Sequence, residues 1–345
     1  MNSPNTVTAP LALASRGNEA FKKQPAETTP KKYIVSHAPF LHSGKGVPER
    51  YYNMLFAALP AALMGIVYFG VPALAVISLA ISSAVLWELI INLVMKRPVT
   101  VGDGHAALIG LIFGMLLPAT SPYWLVFTGT FVAILIGKQI FGGIGANPFN
   151  PAVLAYAILM ISWQTYFDFD ARLVHYDFDF FALYPPGALK AFGPEAVGNY
   201  NAIDLLLGRQ AGGLGTTCGL ALIVGGLYLI VRGFVRWEIP AAFIAGVVLM
   251  AAIFHAFDPG RYAAPYFHLL TGYALFGAFF LAPEDSSSPV NTISMLIYGA
   301  MGGIMTILIR NIGAYADGVI YAILVINLIS PLLDKIRPRA LGKVA

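Results

Sequence analysis

From Tyr52 almost to the C-terminus, long apolar runs follow one another, separated by short breaks rich in Gly, Pro or charge. Ten runs stand out, at about 52–69, 72–95, 104–118, 122–141, 150–163, 213–231, 239–256, 262–282, 290–309 and 315–333. About 20 apolar residues cross the hydrocarbon of a bilayer as a helix. The pattern therefore predicts an all-α integral membrane protein with about ten transmembrane helices. Runs 104–118 and 150–163 fall short of that length. Short segments interrupted by Gly and Pro point either to discontinuous helices around a buried site or to tilted, partly interfacial ones.

The two halves of this pattern share an order of local strings. Ile134-Leu-Ile-Gly-Lys138 in the fourth run parallels Ile307-Leu-Ile-Arg310 in the ninth, and Ala155-Tyr-Ala-Ile-Leu159 parallels Tyr321-Ala-Ile-Leu324. Leu111-Ile-Phe-Gly114 leads to Pro118, as Ala274-Leu-Phe-Gly277 leads to Pro283. Each half holds five runs, an odd number, so the second copy enters the membrane upside down. An inverted repeat of five helices places sites near its pseudo-two-fold axis.

Composition narrows the function classes. Of 345 residues 58% are hydrophobic and 11% charged, against about 25% charged in soluble domains. That excludes an ordinary cytosolic enzyme, a nucleic-acid-binding domain and a disordered protein, and makes the lipid bilayer the first partner. The single cysteine, Cys218, excludes a disulfide framework and Cys-ligated clusters. The net charge of +4 matters mainly through its location. With the N-terminus in the cytoplasm, 16 of the 21 basic residues fall on cytoplasmic sides, as the positive-inside rule requires. The chain then divides into a cytoplasmic tail (1–50), a first repeat half (51–163), an extracytoplasmic loop (164–212), a second half (213–334) and a cytoplasmic tail (335–345). The long loop carries many aromatics and is expected to fold onto the membrane surface as amphipathic pieces.

Three places could carry chemistry. Phe141-Gly-Gly-Ile-Gly-Ala-Asn-Pro-Phe-Asn-Pro151 enters the fifth run. Gly143 and Gly145 would let a backbone approach a ligand or a neighbouring helix, while Asn147 and Asn150 precede prolines in an extended turn. Asn150 is expected to cap the helix with Pro151 in its first position, and such a helix start attracts anions. A tight structural turn is the competing reading. Gly212-Gly-Leu-Gly-Thr-Thr-Cys-Gly219 opens the sixth run, where Gly213, Gly215, Thr216 and Thr217 could line a pocket or allow helices to pack closely. Glu88 is the one carboxylate well inside a run. It is a candidate for an ion or proton step, against the alternative of a snorkelling residue paired with Lys96 or Arg97. Asp103, Glu284, Asp285 and Asp317 sit at the mouths of runs and read as solvated or capping. The six histidines show no metal-ligand spacing.

These strings, with Val35-Ser-His-Ala-Pro39, Asp103-Gly-His-Ala-Ala-Leu-Ile-Gly110 and Gly318-Val-Ile-Tyr-Ala-Ile-Leu324, resemble the D subunit of the Rnf ion-translocating electron-transport complexes. That family is homologous to the B subunit of the sodium-pumping NADH:quinone oxidoreductase. The likeness extends from about residue 33 to 338. It implies a bacterial inner-membrane translocase subunit with five other subunits as partners, coupling electron transfer between ferredoxin and NAD to sodium or proton movement. It also implies FMN, or riboflavin, as cofactor, the FMN commonly phosphoester-linked to a threonine in the outer loop. Here the matching stretch is Asn201-Ala-Ile-Asp-Leu-Leu206. An amide cannot form that ester, so covalent threonyl-FMN is not expected there. Gly213-Leu-Gly-Thr-Thr217 resembles a neighbouring family stretch and makes Thr217 a flavin contact. A transporter or channel subunit without a redox centre, or a scaffold for redox subunits, is the rival expectation.

Overall fold

The computed structural model describes residues 46–336, and every regular element among them is helical. The predicted tails up to residue 45 and from residue 337 lie outside the described residues, as does the Val35–Pro39 string. The first element, α1 (Val47–Val94), holds both the first and second predicted spans. A straight helix of 48 residues would reach about 70 Å, more than twice the hydrocarbon thickness of about 30 Å. It breaks at Gly70, whose φ of 70° and ψ of −153° suit a residue without a Cβ. Its neighbours show that the chain reverses there. His105, the first residue of α2 (His105–Leu116), stacks on Tyr51 with ring centroids 4.4 Å apart. Further along α2, Gly110 meets Ala80 and Gly114 meets Ile77, and beyond its end the segment around Leu214 meets Gly65. Residues 65 and 77 therefore lie toward one end of α2 and residue 51 at the other. The two arms of α1 are an antiparallel hairpin.

α3 (Tyr123–Ile134) continues into a π-helical turn, Leu135–Gln139, and α4 (Pro151–Ser162) completes the first half. Residues 164–212 fold as short helical pieces, as expected: two 3-10 turns with α5 (Phe169–Leu173), α6 (Pro185–Phe192) and α7 (Ala202–Leu207). The Tyr176 hydroxyl ties the segment to the α1 hairpin by donating to the Phe69 carbonyl at 3.1 Å. In the second half, α8 (Gly219–Val231) and α9 (Glu238–Phe257) precede a broken segment of α10 (Pro265–Leu270), α11 (Ala274–Phe276) and a π-helical turn, Gly277–Leu281. α12 (Thr292–Asn311) and α13 (Val319–Leu333) follow. α9 and α12 approach closely at Gly246, Gly299 and Gly303, each facing backbone of the other helix, the small-residue contact that membrane helices favour.

Among the described residues, α1, α9 and α12 are long and apolar enough to cross a membrane, and five further helices are apolar but shorter. At 12 residues each, α2 and α4 reach about 18 Å, in keeping with the two short runs. The run 262–282 differs from its expectation as a continuous span. It is interrupted at Thr271–Tyr273, where Gly272 has a φ of +65°. Open backbone at membrane depth is tolerated only where its polar groups find protein partners, and two buried side chains provide them here. The Arg310 guanidinium donates to the carbonyls of His268 and Thr271, and Asp317 accepts from the Tyr273 N–H.

Candidate functional site

Glu88 is wholly buried, and its partner is neither Lys96 nor Arg97. Lys138, at the π-helical end of α3, donates to Glu88 Oε1 at 2.6 Å, and the two side chains are 1% and 0% exposed. The Thr100 hydroxyl donates to the same oxygen at 2.7 Å, and Asn92 donates to Thr100 at 3.0 Å. Arg97 instead reaches Gln139, at 3.4 Å. Glu88 Oε2 is buried without a partner. A buried ion pair in this setting offsets the large desolvation of its charges only through close geometry. The free oxygen is where a proton or cation could be accepted.

A second buried pair lies toward the other end of α2. Arg310, near the end of α12, contacts both oxygens of Asp317 at 3.2 Å, with side chains 3% and 7% exposed. Asp317 caps the start of α13 through the Val319 N–H and also accepts from Tyr184. Of the two expectations for this residue, capping holds and solvation does not, because the broken backbone around it supplies donors in place of water. Beyond Asp317, the Tyr273 hydroxyl bonds to that of Tyr156 at 2.9 Å and donates to the last carbonyl of α2, Leu116. The pairs Lys138–Glu88 and Arg310–Asp317 thus occupy opposite ends of the fold. Their basic residues sit in the parallel strings of the fourth and ninth runs, and His105 and His268 belong to corresponding segments.

A cavity of about 540 Å³ adjoins the Arg310–Asp317 pair. Aromatic residues from both the helical core and the 164–212 segment line it, among them Tyr156, Phe167, Phe169, Tyr184 and Tyr273, with Thr165 in its wall. Phe169 and Tyr184 face each other with centroids 4.8 Å apart. Burial and the neighbouring Asp317 push the Tyr184 hydroxyl well above its usual pKa. It stays protonated and donates to Asp317.

The two Gly-rich stretches fall in different surroundings. Gly213 and Gly215 face the end of α2: a methyl group on Gly213 would stand 2.8 Å from the Met115 and Leu116 carbonyl oxygens, and one on Gly215 would overlap the Met115 side chain. The Leu214 and Gly215 N–H groups donate to Leu117 and Met115, satisfying carbonyls that the short α2 leaves open. Thr216 bonds back to Gly213, while the buried Thr217 hydroxyl has no partner. Gly212 brings this loop against Tyr184 of the cavity wall. On the Glu88 side, Gly143 and Gly145 shape the turn with positive φ and have open space where a Cβ would point. Asn150 caps α4 through the Ala152 and Val153 N–H groups, with Pro151 in the first position, and also donates to Leu281. Its side chain thereby occupies the donors that an anion would use. Asn147 donates to Glu284 at 3.1 Å, and its own buried carbonyl is unpartnered. Asn201 caps α7 by accepting from Ile203.

Comparison with known proteins agrees with this architecture. The model of the NQR2, RnfD, RnfE family matches residues 34–342. The D subunit of the proton-translocating ferredoxin:NAD(+) oxidoreductase complex of Clostridium ljungdahlii is 35% identical over 319 residues, covering 90% of this chain and 96% of the relative. The D subunit of the Na(+)-translocating ferredoxin:NAD(+) oxidoreductase complex of Acetobacterium woodii is 34% identical, covering 87% and 92%. The D subunit of the ion-translocating oxidoreductase complex of Cronobacter sakazakii is 31% identical, covering 90% and 99%.

Proposed function

Because this chain belongs to the NQR2, RnfD, RnfE family, we propose that it is the D subunit of a six-subunit complex coupling ferredoxin–NAD electron transfer to cation movement across the bacterial inner membrane. The observation that carries this reading is the fully buried Glu88–Lys138 pair with one carboxylate oxygen free. Ionisable groups at membrane depth are costly and mark ion pathways. In this reading Glu88 takes up the proton or cation at Oε2, while Lys138 and Thr100 hold Oε1 and set its charge balance. The relatives carry names with either a proton or a sodium ion.

The Glu88–Lys138 end faces the cytoplasm in this proposal, and residues 164–212 face outward. Support comes from the basic residues assigned to that side, including Lys96, Arg97, Arg232 and Arg236. Reporter fusions near residue 185 and at the C-terminus test the orientation. A cytoplasm-only reporter is expected to be silent at 185 and active at the C-terminus, and the opposite pattern would refute it.

The aromatic cavity suits a flavin. Its volume accommodates a tricyclic ring, the rings of Phe169, Tyr184 and Tyr156 offer stacking faces, and Lys190 in the wall supplies a positive charge for a phosphate. Gly212, and beyond it Thr217 with its free hydroxyl, border the same region. When bound there, flavin would supply the electron transfer, and the protein would supply position and electrostatics. Tyr273 and Tyr184, whose own protons go to Leu116 and Asp317, would accept at the ring edge, and the outer segment would exclude water. Because Asn201 carries an amide where the resembling stretch carries an acceptor hydroxyl, attachment in this reading is non-covalent. The native complex should therefore carry flavin, whereas this subunit on a denaturing gel should show no flavin fluorescence. A fluorescent band would overturn non-covalent attachment, and peptide mapping to Thr165, Thr216 or Thr217 would locate the ester.

A further inference from the structure

Beside the aromatic cavity lies a second one of about 430 Å³ with a different character. Its walls bring together Lys190, Arg261, His268, Arg310 and Asn311 and contain no carboxylate. Three of these residues hold unused nitrogen atoms in buried positions: Arg310 Nε, His268 Nε2 and Asn311 Nδ2 have no protein partner. His268 is 1% exposed and Arg310 6%. Leaving a buried donor unpaired is costly, more so when it is charged, and native structures keep few such groups. Three around one cavity imply that something else accepts from them.

The remaining contacts define that acceptor. The other two guanidinium nitrogens of Arg310 are committed, Nη1 to the His268 carbonyl at 2.6 Å and Nη2 to Thr271 and Asp317. Asp317 balances the Arg310 charge, and the Lys190 ammonium donates to the Arg310, Gly313 and Tyr315 carbonyls, so Lys190 adds charge at the cavity while Arg261 adds charge and donors. A ligand here must be anionic and offer several oxygens to donors arriving from different directions. Carboxylates are planar, whereas a tetrahedral phosphate group presents acceptors on all sides. The cavity is also lined by Ile312, which is 70% exposed, so its mouth has an apolar lip next to the basic floor.

We propose that this cavity binds a phosphate group, carried either by an anionic phospholipid headgroup or by a soluble phosphate. Lys190 borders both cavities, but Arg261 and Asn311, the residues varied in its test, line only this one, so the variants test it apart from the flavin reading. It is tested on the purified complex by native mass spectrometry and phosphorus NMR, after delipidation and titration with phosphatidylglycerol, phosphatidylcholine or inorganic phosphate. The variants are Arg261→Gln and Asn311→Leu, with Arg232→Gln at the opposite end as control. Neither test residue takes part in the Arg310–Asp317 pair, and Arg261 is exposed, so the complex should remain assembled. Wild type is expected to bind one phosphate-bearing ligand at least tenfold more tightly than either variant, with the control unchanged. Preference for phosphatidylglycerol over phosphatidylcholine would identify a lipid headgroup, and binding of inorganic phosphate alone a soluble source. Equal binding by wild type and both variants, or no phosphate-bearing ligand on wild type, would overturn the proposal.

Discussion

Lys138→Met is expected to destabilise the folded subunit by about 3–5 kcal/mol, the range seen when one partner of a buried ion pair is removed and the other stays charged. The side chains are 1% and 0% exposed, so water cannot replace the lost partner. Met fills nearly the volume of the lysine stem, which leaves charge as the main change. The double variant Glu88→Gln/Lys138→Met removes both charges, keeps an acceptor for the Thr100 hydroxyl, and should recover most of the loss. Thermal unfolding of the purified complex reads both. A double variant as unstable as the single one would mean that the pair is not coupled, and that Lys138 matters for some other reason.

The second large effect concerns backbone packing. Gly65 lies so close to Leu214 that a Cβ would overlap its carbonyl oxygen. Gly65→Val must therefore push the 212–217 loop off the α1 hairpin. That loop donates the Leu214 and Gly215 N–H groups to Leu117 and Met115 at 3.0 and 2.9 Å. Overpacking costs about 1–3 kcal/mol, and each broken buried hydrogen bond adds about 1 kcal/mol. A loss of about 4 kcal/mol is expected from these two costs together. Gly143→Ala is the comparison, because its added methyl meets open space and only the positive φ penalises it, by about 1–2 kcal/mol. Similar losses in the two variants would contradict the close approach at Gly65.

Periodicity and composition are enough to read the helical membrane fold, since successive long apolar runs have few other solutions. They reveal less where a polar residue acts across sequence distance. Glu88 is legible as an intramembrane acid, but its partner lies 50 residues on and reads in the sequence as one more positive charge at a membrane face. Arg310 and Asp317 likewise read as residues of loop ends, although they satisfy the broken backbone of the eighth segment. A signal for both is present: the similar strings Ile134-Leu-Ile-Gly-Lys138 and Ile307-Leu-Ile-Arg310 each close on a basic residue, one position apart in register, and a charge that recurs at the end of two like apolar strings points to a structural position rather than a surface charge. The Gly-rich stretches show the converse limit. Glycines at 213 and 215 serve backbone packing against α2, whereas those at 143 and 145 serve a turn, and letters alone do not separate the two. Asn150 is legible in full because capping is local.

The most direct test of the ion-coupling role is cation uptake per electron transferred, measured in sealed vesicles with the assembled Glu88→Gln/Lys138→Met complex. If Glu88 is the coupling group, electron transfer from reduced ferredoxin to NAD continues while uptake per electron falls at least tenfold below wild type. An unchanged ratio in a fully assembled complex would show that the buried pair serves the fold alone.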